Sequence, residues 1–138
     1  MFYPAKIEPD EDGFMVSFPD LPFVHSSGDD LEDAKRHAVD ALESGLYFLA
    51  RDGEPLPVPS RLRCGLVAIE VTPGFAAKLL LLAELAAQKV RPTELARRLG
   101  VTPQEVNRLL NLRHRTKIDA IAAALNALGK RLEVSLAA

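Results

Sequence analysis

A single cysteine, Cys64, leaves this 138-residue chain without an intrachain disulfide. Three histidines, His25, His37 and His114, lie too scattered beside it to form a metal-ligand set, so neither a metal nor another cofactor is expected. Apolar runs are short. Leu79 to Ala83 falls far below the roughly 20 residues that span a bilayer, so no membrane partner is expected. The start, Met1-Phe2-Tyr3-Pro4, lacks the basic and apolar stretches of a secretory signal. Together with the cysteine count, this predicts a reducing, cytoplasmic setting. Internal repeats and a glycine-rich phosphate loop are also lacking. His25 beside Ser26 and Ser27 reads as a loop neighbour, and Cys64 beside Gly65 as a small buried strand residue. Carboxylates gather in turns and helix starts rather than inward on strands, as a metal-dependent nuclease would need. No catalytic set is expected, and the chain reads as a non-enzyme.

Charge is present, but it is unevenly placed. Residues 1–60 carry four basic side chains against thirteen acidic, a formal −9, while residues 61–138 carry thirteen against six, a formal +7. The whole-chain value of −2 hides this split. An acidic half joined to a basic half points to two partners of opposite sign, and nucleic acid suits the basic one.

Periodicity gives the elements. Tyr3, Ala5 and Ile7 alternate with polar neighbours as a strand, and Asp10-Glu11-Asp12-Gly13 reads as a hairpin turn. Phe14, Val16 and Phe18 make a second strand, stopped by Pro19-Asp20-Leu21-Pro22, and Phe23 to Ser26 a short third. Asp29 and Glu32 have capping-box spacing. Leu31, Ala34, Ala38, Ala41, Leu42, Gly45 and Leu49 then predict an amphipathic helix over residues 30–50. Pro55, Pro57 and Pro59 predict an extended connector, and residues 64–71 a further strand. From Thr72-Pro73 the pattern turns helical, with helices near 92–99, 103–111 and 117–128. The expected division is an α+β arrangement of two domains, 1–71 and 72–138. A terminal strand over 131–136, with Leu132, Val134 and Leu136 on one face, needs a partner and is expected to pair with its copy in a dimer.

The segment from Pro92 to Asn111 meets each constraint of a helix-turn-helix. Ala96 is small at the helix crossing, and Gly100 supplies the left-handed turn. Leu95, Leu99, Val101, Val106 and Leu109 make the expected core. Thr102 caps the second helix, Pro103 takes its first position and Glu105 completes a capping box. The outer face then shows Gln104, Asn107, Arg108 and Asn111, the side-chain types that read base edges. Pro103 stands where many such proteins present a base-reading side chain, which shifts the contacts to the residues after it. Arg97, Arg98, Arg113, Arg115 and Lys117 flank this face as phosphate partners, and Thr102 at the helix start completes the expected DNA-binding set.

These residues carry a resemblance to HicB-type antitoxins of bacterial type II toxin–antitoxin systems, of the helix-turn-helix branch. The matching segments are Met1-Phe-Tyr-Pro-Ala5, Gly13-Phe-Met-Val-Ser-Phe-Pro-Asp-Leu-Pro22, the helix after Gly28, the stretch Gln104 to Ala120, and Ala127-Leu-Gly-Lys-Arg-Leu-Glu-Val134. The resemblance implies a partial ribonuclease-H-like β-β-β-α-β domain without a catalytic set, followed by a helix-turn-helix domain. It further implies a HicA-type mRNA-cleaving ribonuclease toxin as partner, operator double-stranded DNA as ligand, and dimers or higher assemblies such as tetramers. An acidic surface suits a toxin that must itself be cationic to engage RNA. Asp10, Glu11, Asp12, Asp20, Asp29, Asp30, Glu32 and Asp33 are the toxin-facing candidates as a group; singly, each also reads as surface or cap. Tyr47 and Phe48 read as core or as anchors. The alternative to an antitoxin is a ligand-responsive helix-turn-helix repressor without a toxin partner.

Overall fold

The computed structural model describes residues 1–137. Its elements are β1 (Phe2–Asp10), β2 (Gly13–Phe18), β3 (Leu21–Gly28), α1 (Leu31–Arg51), β4 (Val67–Glu70), α2 (Pro73–Gln88), α3 (Pro92–Leu99), α4 (Pro103–Leu110) and α5 (Ile118–Ala127). This is an α+β fold, with the expected β-β-β-α-β order ahead of a helical half. The chain divides into two compact units, residues 1–49 with 54–73, and residues 50–53 with 74–138.

In the first unit the four strands form one antiparallel sheet in the order β3-β2-β1-β4. β1 is central, but its two ends serve different neighbours. Phe2–Ala5 pair with Val67–Glu70, and Lys6–Asp10 pair with Gly13–Ser17. Pro4 is tolerated in this central strand. The Val71 N–H donates to the Met1 carbonyl at 2.9 Å, so by ladder alternation the Pro4 nitrogen faces away from β4, beside the point where β2 has ended. Tyr3, Ala5, Val16, Phe18, Leu21 and Val24 are buried from the strands. Ala34, Ala38, Leu42 and Leu46 are buried from α1, at the spacing of one helix face. The helix approaches β3 closely because Gly45 has no side chain. A Cβ there would stand 2.5 Å from Val24 Cγ2.

The second unit packs Phe75, Leu79, Leu82 and Leu85 of α2 inward, with Leu95, Ala96, Val106, Ile121, Ala124 and Leu125 from the later helices. α3 stops in a Schellman closure. The Gly100 N–H donates to the Arg97 carbonyl and the Val101 N–H to the Ala96 carbonyl, with Gly100 at φ 68°.

Several expectations need correction. The cap of α1 is Asp30 with Asp33, not Asp29 with Glu32. The Asp33 N–H donates to Asp30 Oδ1 at 2.8 Å, and Asp33 Oδ2 accepts from the Asp29 N–H at 3.0 Å. β3 runs longer than Phe23–Ser26, because its register with β2 extends to Gly28. Cys64 is exposed and lies in the turn before β4; the Leu66 N–H donates to the Arg63 carbonyl at 3.1 Å, so pairing with β1 begins only at Val67. Val101 is exposed and Leu99 half-buried. Both line an open groove of about 370 Å³ with Val106, Arg108, Ala120 and Ala123 rather than a closed core. Residues 131–136 form no strand in this single chain. Val134 is 80% and Leu136 101% exposed, so neither the apolar face nor the backbone of this segment is covered by a ladder.

α2 ends in the same Schellman geometry as α3, but with a lysine in the left-handed position. Lys89 has φ 54°, its N–H donates to Ala86, and the Val90 N–H donates to Leu85. A Cβ in that conformation costs about 1–2 kcal/mol. Lys89→Gly is therefore expected to raise stability by about 1 kcal/mol, after the entropy that glycine adds to the unfolded chain. A shift of the urea midpoint upward at unchanged slope is the measurement.

Candidate partner-binding surfaces

In the acidic unit, residues distant in sequence come together at one end of the sheet. Phe14 pairs with Gly28, and Gly13 lies against the turn into α1. A Cβ on Gly13 would meet the Gly28 oxygen at 2.2 Å, and one on Gly28 would meet the Ala34 nitrogen at 2.2 Å. Two glycines thus let the β1–β2 tip touch the start of α1. Asp10, Glu11 and Asp12 are on that tip; Asp29, Asp30, Glu32 and Asp33 are at the helix start. All but half-buried Asp33 are exposed.

The helix N-terminus offers N–H groups and a positive dipole end, which favour carboxylates there. Asp33 is held below the usual carboxylate range, first by the Asp29 N–H and then by His37 and Arg36. Lys35 stands 3.7 Å from Glu32. The unit as a whole carries five basic side chains against thirteen acidic, a formal −8.

Asp20 does not join this group. It sits in the β2–β3 turn, a strand length away, and fastens the proline connector: Asp20 Oδ2 accepts from the Ser60 N–H at 2.9 Å, and Oδ1 accepts from the Ser60 hydroxyl. The Tyr3 hydroxyl donates to the Pro57 carbonyl at 2.7 Å, which holds the same connector. Burial first, and the Asp20 charge second, push the Tyr3 phenol up. Tyr47 is half-buried and Phe48 is 49% exposed.

The second unit carries twelve basic side chains against six acidic, a formal +6. Thr102 is the N-cap of α4, its hydroxyl oxygen accepting from the Glu105 N–H at 3.2 Å, with Pro103 at the first position. Val106, Leu109 and Leu110 turn inward, which leaves Gln104, Asn107 and Arg108 exposed on the opposite face. Asn111 lies just past the helix. Its Oδ1 accepts from the Arg113 N–H at 2.9 Å, so this oxygen serves a turn. Arg113, Arg115 and Lys117 are exposed on the segment that leads into α5, with Lys117 as the N-cap residue of that helix.

Arg97 and Arg98 are exposed and share one carboxylate. Arg97 Nε reaches Glu94 Oε2 at 2.8 Å and Arg98 Nε reaches Oε1 at 3.1 Å. The Arg97 hydrogen bonds, followed by those of Arg98, pull the Glu94 carboxyl down to about 2. Each guanidinium keeps further N–H donors beyond those spent on Glu94.

Sequence reasoning missed Lys78. It is the one charged side chain buried among the described residues, 3% exposed, and its Nζ donates to the Asn111 carbonyl at 2.8 Å and the His114 carbonyl at 2.7 Å. The ammonium closes the C-terminal end of α4, where the helix dipole is negative, and pins the start of the Arg113–Lys117 segment. Burial pushes its pKa down. The signal was present as a lysine inside the apolar run from Phe75 to Leu82. No described helix is long and apolar enough to cross a membrane, and no cluster of metal-ligating side chains occurs among the described residues.

Two outcomes follow from these contacts. Lys78→Met fills the space but strips two carbonyls of their donor, and is expected to cost about 1–3 kcal/mol in denaturant unfolding. The Glu94 pair contributes stability that is complete above the free carboxylate pKa near 4.5 and disappears as pH falls toward 2, since the folded state holds its proton less tightly. The difference in melting temperature between wild type and Glu94→Gln is therefore expected to shrink as pH falls from 6 to about 2.5.

Comparison with known proteins gives the family. A family model described as HicB_like antitoxin of bacterial toxin–antitoxin system matches residues 2–80, which span the acidic unit and the start of α2. Antitoxin HicB 2 of Photorhabdus laumondii is 46% identical over 134 residues, covering 97% of this chain and 95% of that protein. Antitoxin HicB of Escherichia coli K12 is 42% identical over 135 residues, covering 97% and 98%. Antitoxin HicB of Pseudomonas fluorescens is 33% identical over 137 residues, covering 99% and 94%. With the family model on more than half of the chain and relatives aligned along both units, the chain belongs to the HicB-like antitoxin family of bacterial toxin–antitoxin systems.

Proposed function

We propose that this antitoxin neutralises a small, cationic HicA-type ribonuclease through its acidic unit and represses its own operon through its basic unit. The observation that carries the reading is the separation of charge onto two units of the fold, −8 on the one with the sheet and +6 on the one with α3 and α4. The seven carboxylates at the end of the sheet attract and orient a cationic toxin, whose RNA-binding surface must be positive. The exposed residues Gln104, Asn107 and Arg108 of α4 read base edges in the major groove, while Arg97, Arg98, Arg113, Arg115 and Lys117 hold phosphates. Thr102 and Asn111 frame the reading helix, Thr102 as cap and Asn111 as turn. Two copies joined by residues 131–136, with Leu132, Val134 and Leu136 as the apolar face of the shared ribbon, place two reading helices on paired half-sites of operator DNA. The setting of both tasks is the cytoplasm.

Co-purification with the product of the adjacent gene, followed by a mobility shift on the upstream DNA, tests both halves. A stable complex and a retarded band are expected, and loss of either removes that half of the reading. On the operator, Arg108→Ala is expected to cost about 1–3 kcal/mol and to relax discrimination at one base pair. Glu94→Gln frees Arg97 and Arg98 and is expected to tighten binding on all sequences alike, with a steeper salt dependence.

A further inference from the structure

Exposed aromatic side chains lie where Gly45 of α1 meets β3. Phe23 is 58% exposed, although its Cε2 lies 3.5 Å from the position a Cβ on Gly45 would take. Phe48 follows Gly45 by one helical turn and is 49% exposed; its ring meets Tyr47 edge-on, with centroids 5.9 Å apart. Toward the start of the helix the same seam turns polar. His37 Nδ1–H donates to the Ser27 carbonyl at 2.8 Å, and Nε2 lies 3.5 Å from Asp33. Positions 33, 37, 41, 45 and 48 recur every three or four residues, so a single face of α1 borders β3. β3 is itself an edge strand of the sheet. The seam is therefore one strip, aromatic at one end and carboxylate at the other.

Grouped exposed aromatics are costly in water and are the residue types that anchor interfaces. The charge of the unit decides between possible occupants. A second copy would bring another −8 against this one, and like charge across an interface is unfavourable. A cationic partner gains at the carboxylate end while it covers the rings. We propose that the α1–β3 seam is the docking strip for the cationic toxin, with Phe23 and Phe48 as its apolar anchors and the Asp33 end as its orienting charge. This rests on the toxin reading above and adds the surface on which the toxin is held.

Rates of association and dissociation separate the roles, because anchors govern the off-rate and steering charges the on-rate. Full-length antitoxin is immobilised and the purified toxin from the adjacent gene is passed over it. For the double variant Phe23→Ser, Phe48→Ser the off-rate is expected to rise about tenfold or more, while the on-rate and its salt dependence stay nearly constant. Phe48→Arg alone leaves β3 intact and sets a cation against a cationic partner, so it gives the same result if the double variant fails to fold. Charge reversal at Asp10, Glu11 and Asp12 is expected to do the opposite, lowering the on-rate and flattening its salt dependence. Unchanged off-rates in both aromatic variants, with wild-type binding intact, overturn the strip and leave the toxin reading standing. No binding by wild type overturns the toxin reading itself. Loss of antitoxin self-association in Phe48→Arg, without a change in toxin off-rate, assigns the seam to a second copy and overturns the proposal.

Discussion

The close approach of Gly13 to Gly28, and of Gly28 to the backbone of Ala34, governs the acidic unit. Any side chain at these points would push the hairpin tip from the helix start. Without that contact, Asp10–Asp12 and Asp29–Asp33 would be two separate acidic stretches. With it they form a single anionic end. So many carboxylates in one place repel, and the fold relieves part of the repulsion locally. Asp30 caps α1, Asp33 accepts the Asp29 N–H, and Lys35 and Arg36 return positive charge one turn later. Enough negative charge remains to give the surface a direction and a sign.

The basic unit is organised around a different device. Arginines and lysines on helix surfaces spread by mutual repulsion unless their backbones are held. Lys78 holds one segment by donating to two carbonyls beyond α4, and Glu94 holds two arginines along α3. In each case one charged group inside or beside the helices positions several others outside. The cost of burying the lysine is lowered by its two hydrogen bonds and by the negative end of α4.

Much of this was legible in the residues. Alternation from Tyr3 to Ile7 and from Phe14 to Phe18 marked strands because one face of each is buried. Pro92, Gly100, Thr102 and Pro103 marked the boundaries of α3 and α4 because each has a backbone geometry or capping group that few other residues supply. What misled was local similarity. Asp29 and Asp30 are adjacent and chemically alike, so the capping box came out one residue early. Cys64 looked like a buried strand residue, yet the strand begins three positions later. Asp20 looks like the other seven acids in the sequence, while the tertiary fold sets it apart from them, beside Ser60 of the connector. Lys78 sat in view within an apolar run, but its two acceptors lie more than thirty residues away.

The sequence by itself determined the order of the elements from β1 to α5, the division of charge and the outward face of α4, because these follow from periodicity, capping chemistry and counting, all of which are local. Only the tertiary structure decided which acids stand together, which arginines are tied to Glu94, which carbonyls Lys78 closes and which aromatics line the seam beside β3. Those outcomes depend on contacts between segments far apart in the chain, and side-chain type alone does not state where two such segments meet.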